Sequence, residues 1–251
     1  IDPLGIDTAH PRLFWQVTGA VRGEGQTAWQ ILAASSAAAL ARDHGDLWDS
    51  GRVKSDRTVF VPYAGAPLAS SEQVFWKVRV WDREGRASDW SAPATLTMGL
   101  LAPADWKGVW ITSPGATESL LLRDEFTVRP GLKRAVVDVC GLGNYELRFN
   151  GAKAGEDLLA PGWTNYDRTD LYATKDVTAM LHAGRNAVGL ILGNGMYNVV
   201  LRNRFTKFTG SFGPLRAILS LRLEYADGTV DDVGTNEDWR THAGPEIFNS
   251  I

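Results

Sequence analysis

Along the first hundred residues apolar and polar positions alternate in short runs. "RLFWQV" (12–17), "RTVFVPY" (57–63), "VFWKVRVWD" (74–82) and "ATLTMGL" (94–100) are β-branched and aromatic, and clusters of Gly, Pro, Ser and Asp separate them. That pattern predicts strands joined by turns, hence a β-sandwich. In "VFWKVRVW", Trp76, Val78 and Val80 fall on one face and Lys77 and Arg79 on the other; such alternation predicts a sheet with one buried side and Trp76 in the core. "ILAASSAAALARD" (31–43) has helix propensity, but its lead-in "TAWQILAAS" alternates like a strand, so at most a short helix is expected. Glu84-Gly85 supplies a hairpin-like turn before Pro93 and the last strand.

After "GLLAPADWKGVWI" the runs lengthen to "LLLRDEFTV" (120–128), "RAVVDVCGLGNYELRFNG" (134–151), "NAVGLILGNGMYNVV" (186–200) and "LRAILSLRLEYADGTVDDVG" (215–234). The change places a boundary near residue 102, giving domains 1–101 and 102–251. Asn150-Gly151 and Asp227-Gly228 are dipeptides that supply the positive φ angles of tight hairpins. Only "DVTAMLHAGRN" (176–186) reads as helical, for a turn or two ended by Gly184. The second unit is expected to be a jelly-roll sandwich, incomplete at its C-terminal end. The fold class is therefore all-β, with no repeat or low-complexity segment.

The bulk composition narrows the function more than the fold. The 251 residues are 44% hydrophobic with a formal net charge of −3, enough for one or two cores. No run of Lys or Arg offers a footprint for a phosphate backbone, so nucleic acid is excluded as partner. No stretch approaches the roughly 18 consecutive apolar residues of a membrane span. "IDPLGIDTAHPR" lacks the basic and apolar regions of a signal peptide. A soluble chain is expected, cytoplasmic or secreted. Because it opens on Ile and stops at "GPEIFNSI", a processed chain or a piece of a longer one is expected. Cys140, the single cysteine, sits among apolar residues and reads as a small core side chain.

The string "GLGNYELRFNG", "APGWTNYDRTDLY" and "DVTAMLHAGRNAVGLILGNGMYN" resembles the N-terminal β-domain of bacterial α-L-rhamnosidases, glycoside hydrolase family 78. Upstream, "HPRLFWQV", "QTAWQILAASS", "GDLWDSGRV" and "VFWKVRVWDREGRASDWS" resemble the fibronectin type III or immunoglobulin-like module that precedes it there. The resemblance covers nearly the whole chain. It implies an (α/α)6 catalytic barrel further along the same full-length protein, with acidic residues that hydrolyse terminal α-L-rhamnosides by inversion. This piece would then be a non-catalytic accessory region that supports the barrel and contacts rhamnose-containing carbohydrate. The NG hairpin and "DVT" turn are also similar in layout to the galactose-binding-like accessory domains of β-galactosidases and β-glucuronidases. A stand-alone sugar-binding module and a pure scaffold are the other readings.

The residues themselves offer no catalytic set. Glycoside hydrolysis needs two carboxyls about 5–5.5 Å apart for retention or roughly 6.5–9.5 Å for inversion, and the neighbours Glu156-Asp157 and Asp231-Asp232 would point to opposite faces of a strand. His10, His44, His182 and His242 are scattered, giving neither a triad nor a zinc spacing. Carbohydrate binding has better candidates in two loops. In 160–172, Trp163, Asn165, Tyr166 and Asp167 combine aromatic planes with polar groups. In "GNGMYN" (193–198), Gly193 and Gly195 permit a sharp bend that presents Asn194 and Tyr197. Burial of a Trp is worth about 4–6 kcal/mol before entropy, which favours Trp163 as a packing anchor. No cofactor is required, although Asn165, Asp167 and Asp170 are oxygen donors of the kind Ca²⁺ takes.

Overall fold

The computed structural model describes residues 2–19, 23–113, 119–199 and 210–245. The chain forms two compact units, Ile1–Pro103 and Ala104–Ile251. The first carries β1 (Arg12–Leu13), β2 (Ala28–Ala34), α1 (Ala37–Ala41), β3 (Trp48–Asp49), β4 (Val53–Lys54), β5 (Val61–Pro62), β6 (Gln73–Trp81) and β7 (Ala94–Thr97). Its main sheet runs β3-β2-β6-β7, with β4 also on β2, and β1 pairs with β5. The expected strands at 12–17 and 57–63 shrink to two residues each. Beside them Phe14 and Phe60 are exposed, whereas Trp15 packs against the core and Tyr63 is buried in it without either lying in a strand.

Strand β6 corrects the one-sided reading of "VFWKVRVW". Val74 and Val78 are buried in the main core, with Trp76 and Val80 half-buried against it. Lys77, on the opposite face, is buried too. Its ammonium donates to the Leu40 carbonyl at 2.7 Å, pairs with Asp43 and lies 5.2 Å from the Trp90 ring. The short helix α1, capped by Ser36, closes this face together with Trp90 and Phe75.

The second unit carries β8 (Leu120–Val128), β9 (Leu132–Leu142), β10 (Asn144–Phe149), β11 (Ala152–Lys153), β12 (Ala173–Asp176), β13 (Gly184–Gly193), β14 (Asn198–Val199), β15 (Gly210–Ser211), β16 (Arg216–Tyr225), β17 (Val230–Gly234) and β18 (Arg240–Ala243). A five-stranded sheet, β11-β10-β13-β8-β18, faces a four-stranded one, β12-β9-β16-β17; all these pairings are antiparallel. This is the jelly-roll sandwich, with Leu122, Phe149, Leu190, Leu219 and Leu221 in its core. Residue 200 and residues 246–251, where the expectations for "MYNVV" and "GPEIFNSI" end, lie outside the described residues.

Three local findings depart from the pattern. The apparent single strand 134–151 is two strands in different sheets, broken at Gly143, whose φ is +113°. The hairpin at Asn150-Gly151 has both residues at positive φ, whereas at Asp227-Gly228 only Gly228 does. The helical segment is one 3-10 turn, Thr178–Met180, and Gly184 opens a strand instead of ending a helix.

The outer side of the four-stranded sheet is stitched to the segment that opens the second unit. The Lys107 and Gly108 amides donate to Ser220 Oγ at 2.8 and 3.2 Å. Val109 donates to the Thr235 carbonyl at 2.8 Å, and Thr235 Oγ1 donates back to Val109 at 2.6 Å. Ile111 bridges to Ala217. A Cβ on Gly108 would lie 2.2 Å from the Leu219 carbonyl oxygen, so only glycine admits so close an approach.

Candidate functional site

Between β11, at the edge of one sheet, and β12, at the edge of the other, the chain crosses the rim of the sandwich through residues 154–172. Backbone groups fix the crossing. The Tyr145 amide donates to the Ala160 carbonyl at 2.7 Å, beside a cis Ala160-Pro161 bond. Lys153 Nζ donates to the Asp157 carbonyl at 2.7 Å, and the Asp157 carboxylate pairs with Lys175.

Farther along, the loop closes on itself. The Asn165 carbonyl accepts from the Arg168 and Thr169 amides, both at 2.9 Å, and Asn165 Oδ1 accepts from the Asp167 amide at 3.2 Å. Thr164 Oγ1 donates to the Thr169 carbonyl. Polar side chains that bond to nearby backbone in this way shape turns. Asn165 therefore holds the loop with its backbone carbonyl and its side-chain oxygen.

The sequence-predicted residues separate into two groups. Tyr166 is half-buried, edge-on to Tyr197 at 5.2 Å and 5.3 Å from Phe212. Tyr197 is buried and donates to the Phe212 carbonyl at 3.2 Å. Asn194 is buried as well; its carbonyl accepts the Tyr197 and Asn198 amides, and its Oδ1 accepts from Asn198 Nδ2 at 2.8 Å. The expectation that the "GNGMYN" bend presents Asn194 and Tyr197 is thus corrected. Gly195 does take the left-handed conformation, at φ +49° against the Asn144 side chain, but it turns both residues inward, where they brace the rim from beneath.

Trp163 is corrected in the opposite direction. The residue is 69% exposed rather than a packing anchor, on a loop whose backbone is held by its own hydrogen bonds. Asn165 and Asp167 are exposed beside it in the loop. Asp170 is exposed by residue, yet partial desolvation raises its carboxyl above the usual range. Burial likewise raises the Tyr166 and Tyr197 hydroxyls; the Asp170 charge adds to it in both, and the Arg216 charge opposes it at Tyr197.

Sequence reasoning missed the aliphatic part of the rim. Leu158 is 83% exposed, Leu159 70% and Leu171 44%. The available signal was the pair of leucines in "DLLAPG", apolar residues in a stretch with neither strand nor helix period. Among the described residues, no group of three or more His, Cys, Asp or Glu is placed to hold a metal ion. The acidic neighbours are occupied elsewhere, Asp157 with Lys175 and Asp231 with Arg129 at 2.9 Å. A cleft of about 330 Å³ on the five-stranded sheet holds Arg123 and Arg185, both paired with Glu125. Its charges are matched within the cleft. Among the described residues, no helix is long and apolar enough to cross a membrane.

Comparison with known proteins agrees with this architecture. Residues 1–102 match the Rha78A-like N-terminal immunoglobulin domain, and residues 131–251 match the α-L-rhamnosidase N-terminal domain. An α-L-rhamnosidase of Formosa agariphila is 33% identical over 100% of this chain and 29% of its own length. The solved α-L-rhamnosidase of Dictyoglumus thermophilum superposes with a TM-score of 0.90 at 33% identity, over 99% of this chain and 29% of that one. The Streptomyces avermitilis α-L-rhamnosidase complexed with L-rhamnose superposes at 0.84 with 25% identity, over 97% of this chain and 40% of that one. The chain thus spans well under half the length of these relatives. With both of its sandwiches matched in order, the chain belongs to the α-L-rhamnosidase family and corresponds to the N-terminal region of its members.

Proposed function

We propose that this chain is the accessory, non-catalytic part of an enzyme that hydrolyses terminal α-L-rhamnosides. In this reading it supports the catalytic barrel of the full-length protein and contacts rhamnose-bearing carbohydrate at the jelly-roll rim. The observation that carries the sugar contact is Trp163, a residue 69% exposed on a loop fixed by its own hydrogen bonds. An aromatic plane suits the C–H face of a pyranose, and nearby polar groups can meet its hydroxyls. Asn165 would donate through Nδ2, and the Asp167 and Asp170 carboxylates would accept. Tyr166, Tyr197 and Asn194 would position this edge from below. The family membership and the L-rhamnose complex of a relative support rhamnose as the sugar.

Two measurements test the reading. This chain alone should show no turnover of an aryl α-L-rhamnoside; clear hydrolysis would place the chemistry in the sandwiches themselves. Calorimetric titration with L-rhamnose should give weak, millimolar binding that Trp163→Ala abolishes. Heat that appears only with added calcium would bring Asp167 and Asp170 in as cation ligands, whereas no heat at all would leave a scaffold.

A further inference from the structure

Leu158 and Leu159 stand 83% and 70% exposed in succession on the rim crossing, and Leu171 is 44% exposed at its far end. Leu159 also holds a left-handed backbone, φ +56°, a conformation uncommon for residues other than Gly, Asn and Asp. The tip is nevertheless tied on both sides. Asp157 is held by Lys153 and Lys175, and Ala160 by the Tyr145 amide. The sandwich thus keeps two large aliphatic side chains out in water on a backbone of fixed shape.

We propose that this aliphatic edge is the docking face for the remainder of a full-length α-L-rhamnosidase, folded against it as a later domain of the same polypeptide. The inference rests on the proposed function and names the surface through which support is given. Three exposed leucines within one crossing of the rim are the kind of grouped apolar exposure that marks an interaction surface on a single chain. An encounter between separate molecules ordinarily needs about 800 Å² per partner. A tethered neighbour needs less, because the tether supplies a high effective concentration. The matched relatives carry such a neighbour, since this chain accounts for only 29% of the Formosa and Dictyoglumus enzymes. Saccharides offer hydroxyl-rich surfaces to which adjacent leucines are poorly suited, so the aliphatic part of the rim calls for a protein partner.

The test compares Leu158→Asp/Leu159→Asp in the full-length protein and in the 251-residue chain. In the full-length protein the pair should speed irreversible thermal inactivation by roughly tenfold or more. In the shorter chain, where both side chains already face water, the melting temperature should stay within about 2 °C. An unchanged full-length protein, or an equal loss in both forms, overturns the proposal. Concentration-dependent dimerisation of the wild-type short chain that the variant abolishes would assign the face to a second copy and also overturn it. If the aspartate pair fails to fold, Leu158→Ala/Leu159→Ala should reproduce the same contrast between the two forms, at roughly threefold; its absence is equally decisive. Loss of structure in the full-length protein is followed separately by circular dichroism. A wild-type enzyme inactive on aryl α-L-rhamnosides would therefore refute the proposed function without obscuring the docking result.

Discussion

Asp138 lies on β9, buried, with Thr174 Oγ1 donating to it at 2.5 Å. Desolvation raises its carboxyl to about 6, against the smaller opposing effects of Thr174 and the Arg134 charge. The folded protein therefore holds this proton over a window, from the ordinary value of 3.8 up to about 6, in which the unfolded chain has released it. Stability falls as pH rises through that window, and the loss is complete above it. Asp138→Asn keeps an acceptor for Thr174 and removes the ionisation, so denaturant unfolding at pH 8 should show a gain on the order of 2 kcal/mol that fades toward pH 4. No neighbouring motif in the sequence marks this residue. Cys140, two positions on, was legible as core, and burial pushes its thiol up to about 12. Trp163 and Lys77 were misread for a common reason. Alternation and burial energetics describe an average tryptophan or lysine, while the deciding partners, a self-bonded loop in one case and Leu40 with Asp43 in the other, are distant or unmarked in sequence.

At the level of elements, most long strands of the jelly roll could be read from β-branched runs, because their apolar residues meet one continuous core. The break at Gly143 could not. The string "VCGLGNYELRF" keeps its apolar alternation through the corner at which the chain passes from the four-stranded to the five-stranded sheet. Gly143 is required there for two reasons: its φ is +113°, and a Cβ would sit 2.2 Å from the Gly193 carbonyl oxygen. Gly151 also has positive φ, at +85°, but its Cβ would meet nothing. Gly151→Ala should cost about 1 kcal/mol, the strain of the backbone alone. Gly143→Ala adds a clash between two strand ends and should cost roughly 3 kcal/mol or more in the same urea titration. Equal losses would show that the corner relaxes around a methyl group.

At the level of the whole molecule, family membership was legible through whole motifs more than through the chemistry of single residues. The stretch from "GLGNYELRFNG" to "GNGMYN" resembles a rhamnosidase domain, yet half of its conspicuous polar and aromatic residues turn out to brace the rim. Asn194 and Tyr197 fill the interior, while Trp163 and the unmarked leucines carry the exposed surface. A sequence motif records what must be kept, and it does not separate residues kept for packing from those kept for contact. The stitched opening segment of the jelly roll carries a consequence in time. Val109 and Thr235, bonded to each other, stand 126 positions apart. A ribosome adding 5–20 residues per second needs about 6–25 s between them. For most of that interval residues 107–112 have been made and their partners Ala217, Ser220 and Thr235 have not. The first-made strip of this domain is therefore among the last to be secured, and a nascent chain is left with an unclosed sheet face for a helper protein to shield.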